Sequence, residues 1–170
     1  SNELAMDTDY FPLPFSSNGS VKTTASIALQ ENGMPWFYDL KDLMEANKNN
    51  PHFDLTNAIK FKAIDAAKKR ASAFFVFNTS TINDELKFEP KATFVAGTIP
   101  VIYLTKPTQH KYLKDETANL EIDLNNEIID NKRYGNNVVG YLNNNAANTI
   151  IIGAHFDHLG YGEDHNSLYT

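Results

Sequence analysis

The chain has 170 residues, no cysteine, and a net charge of −6 from 15 basic and 21 acidic side chains. Such a length buries a real core and corresponds to one ordinary domain, or one domain and part of another. Disulfides, thiolate zinc sites and a cysteine nucleophile are excluded; the lack of a basic block argues against a nucleic-acid partner; and no apolar run approaches the roughly 20 residues of a membrane span.

The apolar share of 42% and aromatic share of 12% predict a globular chain, not a disordered one. The first residues lack the basic start and apolar run of a signal peptide. Ser1-Asn2 reads as a cloning remnant, so the natural N-terminus is expected elsewhere. The stretch from Asp9 to Ser20, with two prolines and a Ser-Ser-Asn-Gly-Ser cluster, predicts an extended arm and a loop. A strand is expected from about Val21 to Leu29, and a second apolar strand over Met34 to Leu40. Residues 41–54 read as a short helical turn and a loop.

The clearest helix follows. Asp54 or Thr56 can cap it, and Ile59, Ala63, Ala66 and Ala67 recur at helical spacing, so a narrow stripe faces a core. Lys68, Lys69 and Arg70 at its C-terminal end suit the helix dipole and read as a solvated face. The unbroken run Ser72 to Asn78 predicts a strand buried on both faces. A long polar loop leads to another buried strand, Thr98 to Leu104, and Pro107 opens one or two helical turns.

The rest changes character. Leu120, Ile122 and Leu124 alternate with Glu121 and Asp123, the pattern of a half-buried strand. Glu127 to Gly135 is also strand-like. Asn136 to Leu142 and Thr149 to Ala154, joined by an Asn-rich turn, predict a hairpin. A boundary near Asn131 to Asn136 divides the chain into 1–133, a compact α/β unit with few helices, and 134–170. There is no internal repeat and no low-complexity tail.

The chemistry concentrates at the end. Residues two apart on a strand share a side, so His155 and Asp157 are expected to project together from the carboxyl end of the aliphatic strand, where open α/β sheets place their sites. An imidazole with a carboxylate beside it can bind a divalent metal, the carboxylate orienting or tuning the ligand shell. The ordinary alternative is a surface hydrogen-bonding pair. His52, in a loop, and His110, on a short helix, read as local hydrogen-bonders. No serine lies in a nucleophile elbow, and there is no phosphate-binding glycine loop.

Asn137-Val138-Val139-Gly140 followed by Gly153-Ala154-His155-Phe156-Asp157-His158-Leu159-Gly160 resembles the entry into the catalytic domain of the two-zinc aminopeptidases, metallopeptidase family 28. The match covers roughly the last fifth of the chain. The earlier order of helix, buried strand, then strand and short helix is more loosely similar to the protease-associated (PA) domain that this family often carries. Its N-terminal arm looks like the one in bacterial members.

The resemblance implies a PA-like β-sandwich or open barrel with flanking helices, followed by the first hairpin of a truncated α/β peptidase domain. It implies that His155 binds one of two zincs directly. Asp157 is implied as a catalytic residue holding the metal-site geometry, and His158 as a structural hydrogen-bonder. The two zincs activate a bridging water and polarise the scissile carbonyl of a peptide, while a glutamate moves the proton. The family also needs a bridging Asp, a Glu-Glu pair, another Asp and a final His. No Glu-Glu pair occurs here, and Glu163, Asp164 and His165 precede the expected bridging Asp.

The chain is therefore expected to be an inactive fragment of a periplasmic or extracellular enzyme. Its PA part would shape substrate access or subunit contacts. Two other readings are a non-catalytic protein-binding PA-type module whose parent lost its zincs, and a plain α/β domain with ordinary surface His-x-Asp chemistry. Six apolar residues of the hairpin, Val138, Val139, Tyr141 and Ile150 to Ile152, lack expected neighbours. Self-association through residues 137–153, or a hairpin folded back on itself, is expected in preference to their exposure.

Overall fold

An unbroken apolar run needs cover on both faces, and Phe74–Phe77 has it: all four residues are buried. The computed structural model describes residues 3–88, 97–115, 117–129, 138–143, 145 and 147–154. The chain divides into two units, Ser1–Asp130 and Asn131–Thr170.

In the first unit the elements run β1 (Tyr10–Pro12), β2 (Gly19–Ser26), β3 (Trp36–Asp39), α1 (Lys41–Asn47), α2 (Leu55–Lys68), β4 (Phe74–Phe77), β5 (Val101–Leu104), α3 (Lys106–Tyr112) and β6 (Asn119–Asn126). The fold is mixed α+β. One sheet has the order β1-β5-β4-β3, with β3, β4 and β5 parallel and β1 antiparallel to β5. The other is an antiparallel ribbon of β2 and β6, paired residue for residue from Gly19↔Asn126 to Ser26↔Asn119.

The period of two along each strand sorts the four-stranded sheet into two cores. Phe74, Val76, Val101, Tyr103 and Trp36 pack on one side with Ile59, Ala63 and Ala66 of α2. Phe75, Phe77, Ile102, Leu104 and Phe37 pack on the other with the apolar face of the ribbon. The first unit thus layers α2, sheet and ribbon. The alanines of α2 let the helix lie close to the aromatic side chains of β3 and β4. Asp54 caps that helix, its Oδ1 accepting from the Asn57 N–H at 2.9 Å.

The arm expected before β2 contains a strand. β1 pairs with β5 through Tyr10↔Leu104 to Pro12↔Ile102, and Phe11, Leu13 and Phe15 are buried. Proline is tolerated because β1 is an edge strand. Gly97 passes so near the Phe15 carbonyl that an added Cβ would lie 2.2 Å from its oxygen. Ser16 and Asn126 join ribbon to sheet: the Ser16 hydroxyl accepts from the Val101 N–H at 2.9 Å and from the Asn126 amide at 3.1 Å.

The hairpin expected over 136–154 is not formed by the described residues of the second unit: residues 138–143 and 147–154 carry no strand. Val138, Val139, Tyr141, Ile150, Ile151 and Ile152 are 77–92% exposed in the single chain. Strand propensity reflects packing on a pleated, covered surface, and a lone two-stranded hairpin is marginal in water. Gly140 and Gly153 have no neighbouring atom within 4 Å of where a Cβ would stand.

Candidate functional site

The parallel strands β3, β4 and β5 bring their carboxyl ends together, the place where open α/β sheets carry ligands. Asp39 closes β3. Its Oδ1 accepts from the N–H groups of Lys41 and Thr79, both at 3.0 Å, and its Oδ2 accepts from the Thr79 hydroxyl. One carboxylate therefore ties the end of β3 to the loop that leaves β4.

That loop is held from within. Asn78 is buried. Its side-chain oxygen accepts from the Ser80 N–H at 2.9 Å and from the Ser80 hydroxyl at 2.6 Å. Its amide donates to the Ile82 carbonyl at 3.0 Å and to Asp84 Oδ2 at 2.7 Å. Asp84 also accepts from the Tyr103 hydroxyl at 2.7 Å and the Leu86 N–H at 3.0 Å. Lys106 Nζ donates to the Ser80 carbonyl at 3.3 Å.

Burial, and then the bond to Asp84, push the Tyr103 hydroxyl well above its ordinary pKa. The Tyr103 hydroxyl stands as a hydrogen-bond donor to Asp84. The Asn78 amide and the Asp84 carboxylate each accept or donate at both ends. Such a satisfied network rigidifies its surroundings. A cavity of about 260 Å³ beside Asp84 and Tyr103 is lined in part by Asp7 and Lys106.

A larger cavity, about 460 Å³, lies between β6, α3 and the ribbon-facing side of the sheet. Its floor is apolar, with Phe37, Phe75, Leu104 and Leu113. Glu3, Glu121 and Asp123 stand among its polar lining residues.

His155 and Asp157, singled out for metal chemistry, and His158, read as a structural hydrogen-bonder, lie outside the described residues, as do Glu163, Asp164 and His165. His52 and His110 are exposed; the His52 N–H donates to Asn50 Oδ1 at 3.1 Å in a turn. Among the described residues no three His, Asp or Glu side chains converge as metal ligands would. None of their helices is long and apolar enough to cross a membrane. The loop network escaped the sequence reading, although Asn78-Thr79-Ser80-Thr81-Ile82-Asn83-Asp84 holds the residue types that bond to nearby backbone. No family model and no curated protein matches the chain.

Proposed function

We propose that the chain is part of a two-zinc aminopeptidase acting in the periplasm or outside the cell. In this reading residues 1–133 form a PA-type accessory domain, and His155 and Asp157 begin the metal site. The observation that carries this is the sequence Gly153-Ala154-His155-Phe156-Asp157-His158-Leu159-Gly160 after the aliphatic run Ile150-Ile151-Ile152. The order α2, β4, β5, α3 within a mixed α+β unit supports the accessory-domain part.

The donor types suit zinc, which takes imidazole nitrogen and carboxylate oxygen. His155 would hold one ion, and Asp157 would orient the ligand shell. When bound, zinc supplies Lewis acidity toward a peptide carbonyl. No Glu-Glu pair occurs in the 170 residues; in this reading the general base and its neighbouring ligand would come from other parts of a longer protein. Residues 1–133 shape access to the cleft or contact a second subunit.

A zinc site wants three or four protein ligands, and His155 is the one assigned here. Calorimetry of this chain with zinc at neutral pH is therefore expected to show only weak binding. Stoichiometric, sub-micromolar binding that disappears in His155→Ala would mean that His158 or His165 completes a local site, against the proposal.

The exposed aliphatic residues make 137–153 a surface for self-association. Burying one large aliphatic side chain stabilises by about 1.5–3 kcal/mol. Light scattering across a concentration series is expected to show association that a chain ending at Gly135 lacks. Equal, monomeric behaviour of both chains would remove this part of the reading.

A further inference from the structure

Six consecutive residues of β6, Leu120 to Asn125, line the cavity of about 460 Å³. Successive side chains of a strand point to opposite faces. A wall that includes both sets in unbroken order is therefore the strand's edge. The other edge of β6 is fully occupied by β2. Among the described residues no backbone hydrogen bond reaches β6 from the cavity side.

An open edge presents a row of N–H and C=O groups that another extended backbone can satisfy as a row. Six residues at about 3.4 Å each span about 20 Å, more than a compact small molecule covers. Beneath the edge lie Phe37, Phe75, Leu104 and Leu113. Leu120, Ile122 and Leu124 pack toward the same core, while Glu121 and Asp123 are exposed on the opposite face of the strand.

We infer that the free edge of β6 is a strand-addition site for an extended peptide in which apolar residues alternate with lysine or arginine. The apolar side chains enter the cavity; the basic ones lie on the outer face beside Glu121 and Asp123. Opposite charges across a ladder favour pairing and like charges oppose it. On the β2 side Asp123 already meets Lys22 at 2.7 Å, whereas Glu121 stands opposite Thr24. Pairing β6 with β6 of a second copy would set acidic rows side by side. The aliphatic stretch Thr149–Gly153 of a second copy carries no basic residue. Charge thus selects a basic, alternating peptide over the chain itself. The site lies wholly in the first unit and owes nothing to His155.

The test uses the full 170-residue chain and a fluorescein-labelled hexapeptide of alternating lysine and valine, followed by anisotropy at low salt. Saturable binding is expected, with hydrogen exchange slowed at alternate amides between Leu120 and Asn125. A peptide N-methylated on the edge-facing amides should bind about tenfold more weakly or worse, because its hydrogen bonds are lost. Glu121→Lys should weaken binding several-fold, as should glutamate in place of lysine in the peptide. No binding in the millimolar range, equal binding of the N-methylated peptide, or unchanged exchange at β6 would each overturn the assignment. So would cavity-side amides of β6, those not bonded to β2, already protected without peptide, which would mean that a second copy or the chain's own residues occupy the edge.

Discussion

Phe74→Ala is expected to remove a large part of the first unit's stability. Phe74 is 2% exposed. It sits on β4, paired on both sides by β3 and β5, stacks on Tyr38 at 5.8 Å between ring centroids, and belongs to the core shared with Ile59, Ala63 and Ala66 of α2. A truncation here leaves a cavity whose walls are pinned by two ladders, so little relaxation is available. Phe→Ala in such a setting costs about 3–5 kcal/mol, against roughly 5–15 kcal/mol for a whole domain. Urea unfolding should register the loss as a lower midpoint with little change in slope. Phe61, on α2 but 63% exposed, is the control: Phe61→Ala should stay within about 0.5 kcal/mol of the starting protein. Comparable losses for the two variants would contradict the packing described.

The second large effect concerns the proposed chemistry. In the full-length parent, His155→Ala is expected to lower hydrolysis of aminoacyl-nitroanilides by several orders of magnitude, because a zinc site that loses an imidazole no longer holds its ion in place. Asp157→Asn should cost about 10–100-fold, the usual effect of disturbing a group that orients a metal ligand. The 170-residue chain alone should hydrolyse nothing, with or without added zinc. A parent indifferent to His155→Ala, or an active 170-residue chain, would show that the motif had been misassigned.

Much of the first unit is legible in local pattern. The run Phe74 to Phe77 has no polar residue because both faces of β4 are covered. Leu120, Ile122 and Leu124 alternate with charge because β6 is covered on one face only. Asp54 precedes α2 because its carboxylate satisfies a free N–H there.

What local pattern misses depends on partners distant in sequence. β1 hides behind Pro12 and Pro14, and only the spacing of Phe11, Leu13 and Phe15 hints at it. β2 stops at Ser26, short of the expected Leu29, because its partner ends opposite at Asn119. β3 begins at Trp36, after Pro35, which has no N–H to give a ladder.

The aliphatic residues of 138–152 show the converse failure. Their strand propensity is high, yet the described residues form no strand without cover. Of the candidate sites, the His155 motif is a contiguous stretch of sequence that lies outside the described residues. The β6 edge and its cavity could not be read from the sequence, because they arise only where β6, α3 and the sheet meet.

The central claim is that His155 and Asp157 open a two-zinc peptidase site completed elsewhere in the parent. Its most direct test is the zinc content of the purified full-length parent, measured by elemental analysis beside its His155→Ala variant. The account predicts about two zinc ions per parent chain and a clear deficit in the variant. A parent that retains no zinc, or a variant that keeps its full complement, would contradict it.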